Sequence, residues 1–423
     1  MNKFNEFMKL FYEVPRNIKL ILIATLITNI GNGMHTIAVS KLLYDKTGTA
    51  MAFGGVLILD NVISFIFQFI SGSVVDRINT KKVSIICDLI RGVVIIFVGI
   101  MVNYSHNGIY FLIVSLVVVN VVNPFYRSAN FKLVPMLIED SSKLLKINGI
   151  AGVLFQTGQL LGVALVAPIL YFFNPGLALI IDGLTFMFSA IMTSFIIIKV
   201  SKNIVAESNI KANVSNKLYN DWKEIFCVLK NEKSLIAHIS LSSGDYLSVS
   251  FINLLLVPMV TQWYNNNSFC ISLFDGSFAI GAISSVYLLY KIYDRMGIEM
   301  SSWIGLLTQG IIFFIIMINR NTIITILMMF SLGMFNAFSI SVFQTSLQLR
   351  VDTAIKGRIS SLRNIIVYTL SLILIPIITK IMDYSLSIGI IIVAIIVSFY
   401  GLLSVIISKS KLFGENYLQS NNI

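Results

Sequence analysis

Gly72-Ser73-Val74-Val75-Asp76-Arg77-Ile78-Asn79-Thr80-Lys81-Lys82 separates two long apolar runs. A glycine four residues before an aspartate lets two membrane helices approach closely at that end. The Asp76 carboxylate suits the exposed N–H groups of a helix N-terminus. Arg77, Lys81 and Lys82 mark the loop as cytoplasmic, because short cytoplasmic loops collect Lys and Arg. An ordinary positive-inside loop would account for the charges alone, but not for their spacing from Gly72 and Asp76.

Composition agrees with a chain built for a bilayer. Of 423 residues, 56% are hydrophobic and 12% charged, against roughly 25% charged in soluble chains. Mean hydropathy is +0.85. Met1 to Lys19 is polar and mixed in charge, with no short apolar core before a small-residue cleavage site, so the first apolar run is expected to stay as a span. The net charge of +11 falls in alternate short loops. It therefore speaks for membrane orientation rather than for nucleic acid. Cys87, Cys227 and Cys270 are isolated, with no histidines nearby, and offer neither a disulfide framework nor a metal site. Frequent Ile, Asn and Lys suit an AT-rich bacterial genome.

Twelve apolar spans are predicted, near 17–41, 51–74, 83–103, 108–131, 147–172, 176–199, 234–262, 269–291, 299–319, 322–347, 359–381 and 385–408. Most reach the ~20 residues that cross the hydrocarbon core. Basic residues cluster before span one, after spans two, four, ten and twelve, and in segment 200–233. Both termini and the long middle loop are thus expected in the cytoplasm. In that loop Leu218, Trp222, Ile225, Phe226 and Leu229 recur at helical spacing and predict an amphipathic helix on the membrane surface. The expected organisation is a six-helix bundle over 1–199, a linker over 200–233, a second six-helix bundle over 234–408 and a tail over 409–423. Asp294-Arg295 follows span eight as Asp76-Arg77 follows span two, 218 residues later (294 minus 76), although Tyr290 stands where the first copy has Gly72. Two six-span halves in parallel repeat predict such an echo.

The Gly-x-x-x-Asp-Arg-x-x-x-Lys-Lys pattern resembles the loop 2–3 signature of the major facilitator superfamily of secondary transporters, with Asn79 and Thr80 where that family usually has Gly and Arg. Gly149, Gly158 and Gly162 in span five resemble a signature of the superfamily's exporters, with Val163 in place of its proline and Val166 and Ala167 in place of two glycines. Small residues there form a helix-packing seam. Four further stretches are similar to the macrolide-efflux and enterobactin-exporter branch. They are Tyr44 to Ala50, Asp88-Leu89-Ile90-Arg91, Ile181 to Phe186, and Gln348 followed by Lys356-Gly357-Arg358-Ile359-Ser360-Ser361. Span four begins Gly108-Ile109-Tyr110-Phe111, without the arginine that many proton-coupled exporters carry near there. The resemblance implies an all-α membrane protein of twelve transmembrane helices in two pseudo-symmetric halves. It also implies a gate, in which Asp76 meets the start of span eleven near Arg358 to Arg363, with Arg77 and Lys82 adding charge contacts.

Ionisable residues inside spans are functional candidates by default, since each costs roughly 2.5–3.5 kcal/mol at the bilayer centre. Asp60, Asp245 and Asp275 are candidates for proton coupling or for meeting a cationic substrate; a satisfied structural acid is the alternative for each. Asp60 precedes Asp76 by 16 residues, about 24 Å of helix at ~1.5 Å per residue. Asp88 and Arg91, at i and i+3, are expected to form a structural ion pair, and Asp182 to be held by local packing. Asn29, Asn32 and His35 lie at i, i+3 and i+6 in span one and are expected to line a cavity, although a lone His is more often a core hydrogen-bonding residue.

The expected function is secondary active export of an amphipathic compound (a drug or macrolide, a siderophore, or a peptide-like molecule) by proton antiport. The alternatives are a proton-coupled uptake symporter and, more distantly, a non-transporting receptor or membrane enzyme. No Gly-x-x-x-x-Gly-Lys-Ser/Thr loop and no HExxH motif occurs, so neither an ATP-driven pump nor a zinc enzyme is expected, and no cofactor. The expected partners are the substrate, protons and the bilayer of a bacterial cell membrane, with no nucleic acid, and the chain is expected to be a monomer.

Overall fold

In the computed structural model, residues 14–47, 51–104, 108–138, 140, 143–198, 214–265, 268–289 and 294–409 are described. They form thirteen helices. The first six are α1 (Arg16–Thr47), α2 (Met51–Arg77), α3 (Thr80–Tyr104), α4 (Gly108–Met136), α5 (Leu144–Phe172) and α6 (Pro175–Ser194). The linker carries α7 (Val214–Asn231). The last six are α8 (Lys233–Trp263), α9 (Ser268–Leu288), α10 (Asp294–Ile318), α11 (Thr322–Arg350), α12 (Lys356–Tyr384) and α13 (Leu386–Lys409). Among the described residues, α3–α6, α8 and α11–α13 are each long and apolar enough to cross a membrane, and α9 and α10 contribute shorter apolar stretches.

The helices follow from the solvent. Without water to satisfy them, backbone N–H and C=O groups must bond within the segment. At the starts of α6 and α11 a side chain takes up the orphan donors. Asn174 accepts from the Leu177 N–H at 2.9 Å just before Pro175, and Asn321 accepts from the Ile323 N–H at 2.9 Å. The burial pattern is the reverse of a soluble helix. On α3, Ile86, Val93, Phe97 and Ile100 are exposed, whereas Asp88 and Arg91 are buried. On this stretch of α3 the apolar side chains point outward and the two charged ones inward, as a lipid surround favours.

The two sets of six helices repeat the same packing. In the first, α3 packs on α6 and α4, α2 on α4, and α1 on α6. In the second, α10 packs on α13 and α11, α9 on α11, and α8 on α13. Each relation recurs with its helix partners shifted by one half. Close approach in the α3–α6 pair rests on facing glycines: a Cβ on Gly183 would lie 2.8 Å from the Gly92 carbonyl oxygen, and one on Gly99 would lie 2.7 Å from that of Gly176. The sequence reading named the span-five glycines and missed this seam.

Two compact units emerge from the packing. One comprises residues 1–141, 157–225 and 353–360, and the other 142–156, 226–352 and 361–423. The opening of α5 thus packs with the second unit, and the turn before α12, with its first residues, packs with the first. In the first unit, Met34, Ala38, Ile95, Leu112, Leu116, Leu179 and Phe186 form a core. The second unit has a larger one around Phe251, Phe274, Phe313, Leu332 and Val393.

Candidate functional site

The first unit holds a charged latch at the end of α2. Helix α12 begins at Lys356, and the residue before it, Ile355, has no side-chain acceptor to cap it. Asp76 acts as the cap from another helix. Its Oδ1 accepts from the Gly357 N–H at 2.8 Å, and its Oδ2 accepts from the Arg358 N–H at 3.1 Å and from Arg358 Nε at 3.0 Å. A carboxylate at a helix N-terminus meets both the orphan donors and the positive end of the dipole. Gly357 leaves room for it: a Cβ there would lie 2.6 Å from Asp76 Oδ1 and 2.9 Å from the Gly72 carbonyl oxygen.

Three further residues complete the latch, and none was singled out from the sequence. Lys132 of α4 is buried and donates to the Asp76 carbonyl oxygen at 3.1 Å, with Asp76 Oδ1 at 3.4 Å. Glu224 of α7 accepts from Arg358 Nη1 at 2.7 Å. Asp221 of α7 takes both its oxygens to Arg77 Nη2, at 2.5 and 2.6 Å. Trp222 fastens α7 further by donating Nε1–H to the Phe69 carbonyl oxygen at 3.0 Å. Arg77 therefore serves the linker helix. Lys81 donates to the Ser194 carbonyl oxygen at 2.7 Å, and Lys82 is exposed. Arg363, further along α12, has its guanidinium 5.0 Å above the Tyr246 ring in the second unit.

Within the first unit, Asp88 and Arg91 pair directly. Asp88 also accepts from Ser189 Oγ at 2.8 Å, and Arg91 donates to Asn123 Oδ1 at 3.1 Å. The guanidinium lies 3.9 Å from the centroid of Tyr126 and 4.4 Å from that of Phe186. Such enclosure by aromatic faces and hydrogen bonds suits a fixed structural pair.

Asn29 and Asn32 meet each other, and His35 turns to a different helix. Asn32 donates to Asn29 Oδ1 at 3.2 Å, and Asn29 is buried beside Gly158 of α5. His35 instead reaches α6, where its Nδ1 lies 2.8 Å from Asp182 Oδ2. Residues i and i+6 of a helix diverge by about 120°, which explains the two destinations. Asp182 is thus held by a histidine 147 residues away as well as by its own helix.

Gly158 and Gly162 form the α1–α5 seam. A Cβ on Gly162 would overlap the Ile30 carbonyl oxygen and lie 3.0 Å from Gly33 Cα. Gly149 faces the Leu289 side chain in the second unit. Gly162→Leu is expected to force α1 and α5 apart at a cost of about 1–3 kcal/mol. A lower thermal midpoint of the purified protein is the expected result, and an unchanged midpoint would mean that the seam yields freely.

In the second unit Asp245 of α8 is fully buried. Its carboxyl accepts from Gln309 Nε2 and from Ser339 Oγ, both at 2.8 Å. Asn336 ties the cluster together by donating to the Asp245 carbonyl oxygen at 2.9 Å and to Gln309 Oε1 at 3.0 Å. Three residues from α10 and α11 thus enclose one acid of α8 without a cation among its hydrogen-bond partners. Asp275 on α9 is exposed and separate from this cluster. The side chains of Asp60, of Tyr44 to Ala50, of Leu218, and of Tyr290, Asp294 and Arg295 lie outside the described residues, as do Lys3, Lys9 and the tail beyond Lys409. Among the described residues no group of three or more His, Cys, Asp or Glu side chains could hold a metal ion.

Comparison with known proteins agrees with this architecture. A family model described as Major Facilitator Superfamily matches residues 21–376. The "Uncharacterized MFS-type transporter YfmI" of Bacillus subtilis (strain 168) is 20% identical over 326 residues, 74% of this chain and 77% of the relative. A bacterial homologue of the iron transporter ferroportin, in its outward-facing state, superposes with a TM-score of 0.71 at 16% identity, covering 94% of this chain and 100% of that one. FucP, in the outward conformation, superposes with a TM-score of 0.72 at 11% identity over 95% and 100%. The proton:xylose symporter XylE reaches 0.67 at 12% identity over 92% and 94%. At these identities the likeness extends to the fold.

Proposed function

The chain belongs to the major facilitator superfamily, and on that premise we propose that it exports an amphipathic compound by alternating access in exchange for protons. The observation that carries the proton-coupled part is Asp245. A carboxyl group buried in a membrane helix and enclosed by an amide, a hydroxyl and a second amide has no fixed positive charge to hold it ionised. Loading and unloading a proton is the charge change that such a site can make at least cost.

The export direction and the amphipathic substrate rest on the span-five glycines and on the resemblance to the macrolide-efflux and enterobactin-exporter branch. Gly158 and Gly162 lie directly on α1, a close small-residue contact consistent with the seam that the exporter-like signature implies. The latch at Asp76 supplies an element that can open and close. In this reading the protein works as a monomer in a bacterial plasma membrane, with both termini in the cytoplasm and the linker helix α7 beside the latch.

The test is accumulation of a labelled amphipathic panel, including a macrolide and a siderophore, in efflux-deficient cells with and without an uncoupler. Lower accumulation that the uncoupler abolishes is expected, and Asp245→Asn should return it to the level of cells lacking the protein. Higher accumulation would overturn export in favour of uptake. Lowered accumulation indifferent to both the uncoupler and Asp245→Asn would overturn proton coupling.

A further inference from the structure

Asp182 is fully buried in α6, and its carboxyl has a single side-chain partner among the described residues, His35 of α1. The Nδ1–Oδ2 separation is 2.8 Å. Oδ1, on the other side of the carboxyl, is buried and has no hydrogen-bond partner among the described residues. Thr185 does not supply one, because its hydroxyl donates to the Asp182 backbone carbonyl at 2.7 Å. Opposite Oδ1 stands Gly31, where any side chain would collide with both Asp182 Oδ1 and Thr185 Oγ1. The carboxyl is therefore confined between α1 and α6, with one oxygen committed to an imidazole and the other uncommitted.

Charge decides what this arrangement can do. With a neutral imidazole and an ionised carboxyl the pair carries one negative charge in a membrane helix, which is costly. One added proton removes that charge, whether it rests on the ring or on the carboxyl, since both forms have the same composition and a hydrogen bond across the same gap. Among the described residues no Lys or Arg forms an ion pair with either group, and the side chains of Lys41 and Lys46 of α1 lie outside the described residues. On α3, which packs against α6, the charged groups are Lys81 and Lys82 at its start, where Lys81 reaches Ser194, and Asp88 and Arg91, engaged with each other and, through Asp88, with Ser189, two turns along α6. On α4, which packs against α1, Arg127 and Lys132 lie towards the end that meets Asp76, and Lys132 is held there. The Asp60 side chain of α2 lies outside the described residues. The histidine side chain is 19% exposed whereas the acid is sealed, so the ring is the member of the pair through which a proton can come and go.

We propose that His35 and Asp182 form a proton-binding centre in the first unit, separate from Asp245, in which the two side chains share one proton. The centre is defined on the resting protein and depends on neither the direction of transport nor the identity of the substrate.

Its test uses the proton as the probe. The chain has three histidines, His35, His106 and His238, so protein labelled with 15N-histidine in lipid nanodiscs gives few ring signals, and His35→Gln identifies one set by its loss. The His35 signals are expected to change with pH, and Asp182→Asn is expected to change the pH at which they do so. Potentiometric titration over about pH 5 to 9 should find one proton fewer bound by His35→Gln and still one fewer, not two, by the double variant, whereas Asp182→Asn should take up the same proton at a different pH. Two protons lost in the double variant would show independent groups. None lost in any variant, or His35 signals that ignore Asp182→Asn, would show a fixed structural contact. Each of these overturns the proposal. If Asp182→Asn is not recovered as a folded protein, Asp182→Ser takes its place, and the His35→Gln arm still counts the proton.

Discussion

Asp76→Ala is expected to expose the start of α12. The substitution removes the acceptor for two backbone N–H groups and for the Arg358 guanidinium, and it removes the charge facing Lys132. Charge-assisted hydrogen bonds contribute about 1.5–3 kcal/mol each, and not all of that is recoverable by rearrangement. A loss of about 3 kcal/mol moves a two-state equilibrium by ~150-fold. Arg358 would keep Glu224, so the break should be confined to the Asp76 side of the latch. Ser360, buried one turn into α12, offers the readout. Cys227 is exposed and is first replaced by Ser, while Cys87 and Cys270 are buried. In that background a cysteine placed by Ser360→Cys should be alkylated slowly, and much faster once Asp76→Ala is added. Asp76→Asn retains an acceptor and should fall between the two. Equal alkylation rates in all three would mean that the cap contributes little to keeping α12 in place. Transport of any compound whose accumulation the protein lowers should fall with Asp76→Ala at unchanged protein abundance.

Asp88→Leu and Arg91→Leu are each expected to destabilise the first unit severely. Both groups are buried, and each is the main countercharge of the other. Removing one partner leaves the other ionised or forces it to change its protonation, at a cost of about 3–5 kcal/mol. Arg91→Leu also loses the bond to Asn123 and the contacts with Tyr126 and Phe186. The double variant removes both charges together and should recover much of the loss, because apolar replacement of a whole buried pair is often nearly neutral. Thermal unfolding of the purified proteins, taken as a double-mutant cycle, reads this directly. Additive losses would mean that the pair is not coupled and that each residue acts through its other neighbours.

The two substitutions probe different kinds of information. The Asp88–Arg91 spacing is local, three residues on one helix, and could be read from the chain. The Asp76 loop could be singled out in the same way, by the interval from Gly72 and by the charges that follow. What Asp76 meets could not be read from spacing. Lys132 is 56 residues away, Gly357 is 281 away, and α7 contributes Asp221 and Glu224 from a linker that read only as an amphipathic helix on the membrane surface. The same holds for Asp245, whose partners Gln309 and Ser339 come from two other helices at separations of 64 and 94 residues. Asp275 looked equivalent to Asp245 in the sequence, since both are acids within apolar runs, yet one is exposed on α9 and the other is enclosed.

What the sequence by itself determined is the all-helical fold in two repeating halves. A bilayer forces each spanning segment to satisfy its backbone internally and to cover itself with apolar side chains, so hydropathy and length along the chain carry the information. What only the tertiary structure decided is which polar groups meet. Each helix presents its few buried polar residues in directions set by its 3.6-residue turn, and which helix lies in that direction is a matter of packing. That is why His35 parts from Asn29 on the same helix and finds Asp182 on another, and why the uncapped start of α12 is satisfied by a carboxylate from α2.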